Sequence, residues 1–552
     1  MSDSTSLRNF RHARDNSWEK YYIPHRWPNI WRDRFIVPLL MLLGGLVHSI
    51  GMFSSPSLVI SDDEGTYVAQ AWAILNTGQL AHYTYWYDHP PAGWIQMAVW
   101  AWLTRGFERY DLVISVGREF MLVTQVVSIA LIYILAKRLG MNRAFAIMAT
   151  LMFSLSPLAV YYHRLVFLDN IVVPWLLAAF VLVLSPKNRL SAYFGSALCF
   201  GVAVLTKETA AVILPALWWL SIQSSHPRTR RMANVVWLFT LGCLVASYPV
   251  MALIKNELLP GPGHVDLWTA IRWQLFDRGS SGSIFVDNTA GSIVVHSWAR
   301  LDVLLIGSAI VLVLPAMFKK TLRPIAAAYA LQVVMMLRPG GYLPLMYVIM
   351  MLPLAAIVTA GVLHAMWDSG TLTRFRKLRH QIGGTGWSYA QAIVQIPAVI
   401  IVAMLTVLAG QTWSPKLGDL LLTDHNQPLV QAIDWIESSV PTVQPGGQAT
   451  TILVSDAMWT DLKIRGFSPD WYYKVDLDPA VKAKRYPNGW QSVNYAIFTN
   501  EMAEIGKSGF RNDTPTVFAS RDHGTLVARF GSGIDTIWIY RVDPQKGIDS
   551  TV

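Results

Sequence analysis

The composition of the 552-residue chain excludes an ordinary soluble domain, because 53% of its residues are hydrophobic and only 14% are charged. The formal net charge of +10 would suit a nucleic-acid partner, but it would equally suit a membrane protein with basic cytoplasmic loops. The positions of the basic residues decide between these two classes. Cys199 and Cys243 lie inside apolar runs, which indicates small core residues rather than a disulfide or a metal pair.

Apolar runs long enough to cross the hydrocarbon core of a bilayer predict about 11 membrane spans. They lie near residues 35–53, 112–136, 144–162, 170–185, 190–206, 209–223, 233–254, 301–318, 324–337, 343–366 and 389–410. No small-residue cleavage site follows the first run, so we interpret it as an uncleaved span rather than a signal peptide.

Basic residues mark one side of these spans. They precede the first span within residues 1–34, and they follow later even-numbered spans, as at Lys137-Arg138 and Lys319-Lys320. By the positive-inside rule this side is cytoplasmic. The amino terminus is then cytoplasmic, and the positive charge is explained by topology, so we predict a lipid bilayer and no nucleic acid as partner.

The predicted outward side carries two long loops, 54–111 and 255–300. Apolar residues at helical spacing after Tyr67 and again after Trp94 predict amphipathic helices that lie at the membrane interface. The second loop is rich in Gly and Pro, which is typical of a mobile segment over a cavity.

Three regions follow from this pattern. Residues 1–34 form a cytoplasmic segment, residues 35–410 a transmembrane domain, and residues 411–552 an outward domain. Strand-like runs at 451–454, 495–498 and 536–540, with helical stretches between them, predict that the last of these is a small extracytoplasmic α/β domain.

Ionisable residues cluster at the predicted outer ends of the spans, where burial makes them costly and favours a functional role. They are Asp62-Asp63-Glu64, His89, Arg164, Asp169, Lys207 and Arg338. The alternative for the three acids is a helix N-terminus capped by Ser61. Asp169 either pairs with Arg164, caps the fourth span or belongs to the site. Lys207 either neutralises Glu208, reaches lipid headgroups or belongs to the site.

An ordered set of motifs resembles the GT-C superfamily of integral-membrane glycosyltransferases. It consists of Asp63-Glu64-x-x-Tyr67, His89-Pro90-Pro91 with Trp94, Arg164-x4-Asp169 and Gly201-x4-Thr206-Lys207-Glu208. The chain is most similar to the branch with the protein O-mannosyltransferases and the aminoarabinose transferases that act on lipid A, over roughly residues 35–366. This chain departs from the family pattern at two places. The segment Arg338-Pro339-Gly340-Gly341-Tyr342 lacks an additional basic residue that the family often has before the tyrosine. Two consecutive acids, Asp62 and Asp63, stand before Glu64, so either could be the base.

The resemblance implies a GT-C fold and a chemistry. It implies inverting transfer of a monosaccharide from a polyprenyl-phosphate donor to a lipid, glycan or protein acceptor, at the outer face of a bacterial-type plasma (inner) membrane. A carboxylate must activate the acceptor hydroxyl, and we favour Asp63 as this base, with Glu64 and Asp169 completing the catalytic set and Asp62 left open as a second candidate base. Cations must stabilise the leaving phosphate. The expected substrate-binding residues are Asp62, Tyr67, His89, Arg164, Lys207, Arg338 and Tyr342.

The sequence also allows functions other than this glycosyl transfer to an envelope acceptor. A protein O-mannosyltransferase is the alternative within the fold, and a transporter or flippase of lipid-linked sugars, or a sensor, is the alternative outside it. A transporter would place ionisable residues at the membrane midplane, whereas these lie at the ends of the spans.

His82 and His89 with Glu64 offer ligands for a divalent metal, but their spacing matches no recognised pattern, so no cofactor is assigned. The aromatic residues from Tyr83 to Tyr87 predict an interfacial belt or a sugar-stacking surface.

Overall fold

The computed structural model describes residues 33–187, 189–262, 264–338, 340–369, 374–505 and 510–543. The predicted cytoplasmic segment 1–34 therefore lies outside the described residues, except for its last two positions.

The described part is mainly helical, as its apolar runs predict. The helices are α1 (Ile36–Ser49), α2 (Asp63–Thr77), α3 (Ala92–Thr104), α4 (Ser115–Arg138), α5 (Arg143–Leu155), α6 (Pro157–Tyr162), α7 (Leu168–Val183), α8 (Leu190–Thr206), α9 (Leu214–Ser224), α10 (Arg230–Ile254), α11 (Leu267–Arg272), α12 (Ala290–Phe318), α13 (Arg323–Met336), α14 (Met351–Ser369), α15 (Arg374–Leu422), α16 (Gln427–Ser439), α17 (Asp456–Ile464), α18 (Tyr472–Leu477), α19 (Pro479–Arg485), α20 (Asn500–Ile505), α21 (Phe510–Asp513) and α22 (Pro515–Asp522).

Within the described residues, 5 helical stretches are long and apolar enough to cross a membrane, and they involve α4, α10, α12, α14 and the α15–α16 region. Helices α1, α5, α7, α8 and α13 are apolar but shorter. A helix of about 20 residues is needed to cross a bilayer without tilt or bilayer thinning. The chain is therefore a polytopic helical protein, and the count of about 11 spans stays a prediction.

The predicted spans at 144–162 and 301–318 are among those that have a different form in the structure. The run at 144–162 is divided into α5 and α6, because Pro157 begins a new helix whose amide at Ala159 is capped by the Ser156 hydroxyl. The run at 301–318 begins earlier, at Ala290, and bends at Asp302. The buried Asp302 carboxylate accepts a hydrogen bond of 2.6 Å from Ser156. This bond joins the bend in α12 to the break between α5 and α6.

Two helices occupy the first long loop where the sequence predicts amphipathic helices. Helix α2 begins with Asp63 and Glu64 and ends at Gly78, whose positive φ of 67° a glycine adopts without strain. Helix α3 follows the Pro90-Pro91 break. Their location at the membrane interface stays a prediction.

The C-terminal region contains a 5-stranded mixed sheet of order β2-β1-β3-β5-β4. Its strands are β1 (Thr451–Val454), β2 (Ser468–Trp471), β3 (Tyr495–Thr499), β4 (Gly524–Phe530) and β5 (Ile537–Val542). Strands β1, β2 and β3 are parallel, and β5 pairs antiparallel with β3 and β4. The predicted strands correspond to β1, β3 and β5, whereas β2 and β4 were not predicted. In β2, Ser468, Pro469 and Asp470 are typical of a turn.

The C-terminal domain packs directly on the acidic start of α2. A Cβ atom at Gly65 would lie 2.1 Å from the carbonyl carbon and oxygen of Asp456 and 2.2 Å from the amide nitrogen of Ala457. The neighbouring Thr66 hydroxyl donates a hydrogen bond of 2.8 Å to the Asp456 carboxylate. The backbones of α2 and α17 therefore touch, and no side chain other than hydrogen fits between them.

Replacing Gly65 with alanine is expected to displace the C-terminal domain from α2, because the added methyl group meets backbone atoms that cannot move alone. Amide hydrogen exchange should then rise across α17. Gly242→Ala is the matched control, since a Cβ at this glycine in α10 meets no atom within 4 Å. Equal exchange in α17 of Gly65→Ala and the wild type would show that the contact does not hold the domain.

Candidate active site

The three consecutive acids at the start of α2 have three different surroundings. The two carboxylate oxygens of Asp62 accept hydrogen bonds from Ser455 and from the Trp471 indole of the C-terminal domain. Glu64 is paired with Arg118. Asp63 is half-buried, and its carboxylate accepts no hydrogen bond from any residue that the structure describes. Asp63 is therefore the acid of the three whose oxygens are free for a substrate.

Glu64 is part of a fully buried ion pair. Its oxygens lie 3.2 Å from Nε and 3.1 Å from Nη2 of Arg118, and the side chains of both residues are 0% exposed. The amide of Val166 donates to the same carboxylate at 2.8 Å. Arg118 also donates to the carbonyls of Met52 and Pro56. Glu64, expected in the catalytic set, thus holds α2 against α4 and the 163–167 turn, and its lone pairs face those partners.

Asp62 belongs to the contact between the two domains. Burial, and then the nearby Asp456, raises the pKa of Asp62 to about 8. Its carboxylate is enclosed by donors of the C-terminal domain, so the structure separates Asp62 from the free carboxylate of Asp63.

Lys207 and Asp169, which are distant in sequence, form a buried ion pair. The Lys207 ammonium lies 2.6 Å from Oδ2 of Asp169, with side chains 4% and 1% exposed. Asp169 therefore pairs with Lys207 and not with Arg164, and Lys207 does not form its ion pair with the adjacent Glu208. Glu208 instead lies 3.0 Å from Nδ1 of His89.

Positive groups lie close enough to Asp63 to affect its ionisation. Burial raises the pKa of Asp63, and the charges of Lys207, His89 and Arg278 partly offset this effect. Burial lowers the pKa of His89, but Glu208 outweighs it and the net shift is upward. A carboxylate with a raised pKa beside fixed cations is the arrangement expected of a general base next to an anion-binding site.

Arg164 lies outside this group of cations. Its guanidinium donates to the carbonyls of Leu420 at 2.9 Å, Val47 at 3.0 Å and Ile50 at 2.7 Å. Carbonyls at the end of a helix have no partner within it, so Arg164 satisfies those at the end of α1 and joins α1 to α15. This geometry opposes the expected phosphate contact, because both terminal nitrogens of Arg164 already donate to backbone carbonyls.

The 338–342 segment and the second long loop meet at Tyr342. The guanidinium carbon of Arg278 lies 3.5 Å from the centre of the Tyr342 ring, a cation–π contact. Arg338 is exposed at the end of α13 and forms no salt bridge within the described residues. Sequence reasoning missed Arg278, although a basic residue next to Gly279-Ser280-Ser281-Gly282 on the predicted outward side was a usable signal.

Tyr67 and His89 are brought together at the edge of the site. The Tyr67 ring stacks with Trp94 at 6.4 Å and an angle of 8°, and it lies 6.2 Å from the His89 ring. The predicted motifs of the first loop therefore form one aromatic wall beside Asp63.

The three residues considered as metal ligands are not brought together. Glu64 pairs with Arg118, His82 with Asp456 and His89 with Glu208. Across the described ranges, no group of three or more His, Cys, Asp or Glu side chains has the arrangement of a metal site.

Known proteins resemble this chain in one segment of its sequence and in its fold. Residues 88–252 match the family described as Dolichyl-phosphate-mannose-protein mannosyltransferase, and no curated protein matches the chain in sequence. The structure of ArnT from Cupriavidus metallidurans bound to undecaprenyl phosphate is similar with a TM-score of 0.56 at 13% identity, covering 92% of this chain and 97% of that one. The oligosaccharyltransferase of Archaeoglobus fulgidus, tethered with an acceptor peptide, has a TM-score of 0.51 at 10% identity, covering 92% of this chain and 75% of that one.

At these identities the two structures show a shared fold, and the family match lies within the membrane part that has this fold. The chain therefore shares the fold of ArnT and of the oligosaccharyltransferase, and its residues 88–252 match the mannosyltransferase family.

Proposed function

We propose that the protein transfers a monosaccharide from a polyprenyl-phosphate donor to an acceptor hydroxyl at the outer face of a bacterial-type plasma membrane, with Asp63 as the general base. One observation carries the proposal: the Asp63 carboxylate is free of hydrogen bonds from the described residues, and the charges of Lys207 and Arg278 lower its pKa against the effect of burial. The undecaprenyl phosphate bound by ArnT supports the class of donor.

The arrangement supports a single inverting displacement. The acceptor hydroxyl gives its proton to Asp63 as its oxygen attacks the anomeric carbon, and the bond from that carbon to the phosphate oxygen breaks. Negative charge then develops on the lipid phosphate, where preorganised cations lower the barrier. Lys207 is held in place for this role by Asp169, so we assign Asp169 a positioning role.

Arg278 takes the place in this scheme that the sequence suggested for Arg164. It stacks on Tyr342. It lies directly after the helical turn Trp273–Asp277 and directly before the Gly279-Ser280-Ser281-Gly282 segment. A cation on such a segment can close on a phosphate after the donor enters. Arg338, exposed near Tyr342, is the third cation proposed for the phosphate.

Replacing Arg278 with alanine is expected to weaken binding of undecaprenyl phosphate by about tenfold to 100-fold, since a hydrogen bond to a charged group contributes roughly 1.5–3 kcal/mol. Lys207→Ala and Arg338→Ala should weaken it in the same direction. Isothermal titration of the purified protein with undecaprenyl phosphate measures the effect. Arg272→Ala is the matched control, because Arg272 is 66% exposed and pairs with Asp277 in the same loop. Unchanged affinity in Arg278→Ala would remove Arg278 from the phosphate site.

A protein acceptor is the second candidate beside a lipid or glycan acceptor. The observation that favours it is the match of residues 88–252 to a family named for protein mannosyl transfer. Mass spectrometry of envelope lipids, glycans and proteins from a deletion strain separates the candidates, because the modified acceptor is the species that loses one monosaccharide. Loss of a sugar from lipids alone would exclude the protein acceptor.

A further inference from the structure

A small cavity lies where the C-terminal domain covers α2. Its walls are aromatic residues of the 81–89 segment with Tyr67 and Trp94 from the membrane domain, and Trp471 and Lys474 from the C-terminal domain. Its volume is about 30 Å³, which is room for about two water molecules. The C-terminal domain thus closes the cavity on one side through Trp471 and Lys474.

The cavity wall contains polar atoms that have no hydrogen-bond partner among the described residues. They are Oε1 of Gln70, Nδ1 of His82 and the indole nitrogens of Trp86 and Trp94, and all are buried. Folded proteins pair more than about 90% of their buried polar groups. Four unpaired atoms around one cavity are therefore available to a ligand that carries both donors and acceptors.

Lys474 adds a buried positive charge to this wall. Its side chain is buried, with 3% exposed. Its ammonium donates a hydrogen bond to the Thr84 carbonyl at 3.3 Å and lies 3.5 Å from the centre of the Trp86 ring. No carboxylate lies within salt-bridge distance of it in the described part of the chain. Burial lowers the pKa of Lys474 to about 7. The charges of Asp88, Asp478 and Asp456 offset this effect only in part. Since a buried charge without a direct ion-pair partner is costly, the site favours a ligand that brings oxygen atoms to the ammonium.

The position of the cavity identifies which part of a substrate it meets. Tyr67, which lines the cavity, is one helical turn after Asp63 on α2. His89 also lines the cavity, and its Nδ1 lies 3.0 Å from the carboxylate of Glu208, the residue after Lys207. The anomeric carbon of the donor is one bond away from the phosphate oxygen. The sugar ring must therefore lie directly beside the cations that bind the phosphate, and this cavity does.

We propose that the cavity binds the sugar ring of the donor and that Lys474 and Trp471 make the C-terminal domain a determinant of donor specificity. This inference rests on the proposed function. Aromatic faces pack on the apolar face of a sugar ring, while the ammonium, the indole N–H groups and the Gln70 carbonyl bind its hydroxyl groups. The cavity of about 30 Å³ is smaller than a sugar ring, so side chains of its wall must move when the ring binds.

The test compares two ligands on the full-length protein. Undecaprenyl phosphate reports the phosphate site, and undecaprenyl phosphate linked to mannose, glucose, galactose or aminoarabinose reports the phosphate site together with the sugar cavity. With the sugar-linked lipid that the wild type binds most tightly, Lys474→Met is expected to lose about tenfold or more in affinity. Its affinity for undecaprenyl phosphate should not change. Lys474→Arg should recover part of the loss.

Controls separate the possible failures. Lys484→Met alters an exposed lysine of the same domain and should leave both affinities unchanged. Trp94→Phe removes an unpaired indole N–H without touching the C-terminal domain and should also weaken binding of the sugar-linked lipid alone. An equal loss for both lipids in Lys474→Met, an unchanged affinity for both, or a wild type that binds no sugar-linked lipid better than undecaprenyl phosphate would overturn the inference. A wild type that binds neither lipid would overturn the proposed function itself.

Discussion

Replacing Asp63 with asparagine is expected to abolish sugar transfer while the protein still folds and inserts normally. Asparagine keeps the shape of the side chain but cannot take a proton, and a general base contributes about 10²–10⁴-fold to rate. The change removes no structural hydrogen bond, because the Asp63 carboxylate accepts none from the described residues. Asp63→Ala should behave in the same way. The measurement is transfer of a labelled monosaccharide by membranes that contain equal amounts of each variant.

Two matched variants make this result specific. Glu108→Gln changes an exposed acid of the same loop and should retain full transfer. Asp62→Asn tests the second candidate base, and its effect should be small and accompanied by weaker attachment of the C-terminal domain, since Asp62 contacts Ser455 and Trp471. Transfer near the wild-type rate in Asp63→Asn, with loss in Asp62→Asn, would move the base to Asp62.

Much of the membrane fold was predictable, because each helix depends on its own apolar run. The predicted runs at 112–136, 170–185 and 190–206 agree with α4, α7 and α8 to within a few residues. The bend at Asp302 was not predictable from its local pattern, because it depends on a hydrogen bond to Ser156 in another helix.

The site was predictable only in part, because the partners of its residues are distant in sequence. The pattern Asp63-Glu64-x-x-Tyr67 marked the correct segment, but the partner of Glu64 is Arg118, which lies 54 residues away in sequence. Lys474 lies 390 residues from Thr84 in a different domain, and nothing in its local sequence distinguishes it from an exposed lysine. Residue types indicated which groups can do chemistry, and tertiary pairing decided which of them are free to do it.

Glu64→Gln is expected to cost about 3–5 kcal/mol of stability, because it leaves the Arg118 guanidinium buried without a counter-charge. The ion pair is 0% exposed on both sides, so water cannot replace the lost partner. Helix α2 should loosen from α4, and sugar transfer should fall with the amount of folded protein. Thermal unfolding of the purified protein measures the change, and Glu64→Gln combined with Arg118→Met should recover part of it by removing the unpaired charge.

The neighbouring residue in α4 provides the control. Glu119 pairs with Arg109, but this pair is 22% and 40% exposed, and exposed ion pairs contribute about 0–1 kcal/mol. Glu119→Gln should therefore have a much smaller effect than Glu64→Gln on the unfolding temperature. If Glu64→Gln is as stable as Glu119→Gln and still loses transfer, then Glu64 acts in the chemistry, as the sequence motif suggested. A large loss of stability that Arg118→Met partly reverses would instead assign Glu64 to the support that holds Asp63 in place.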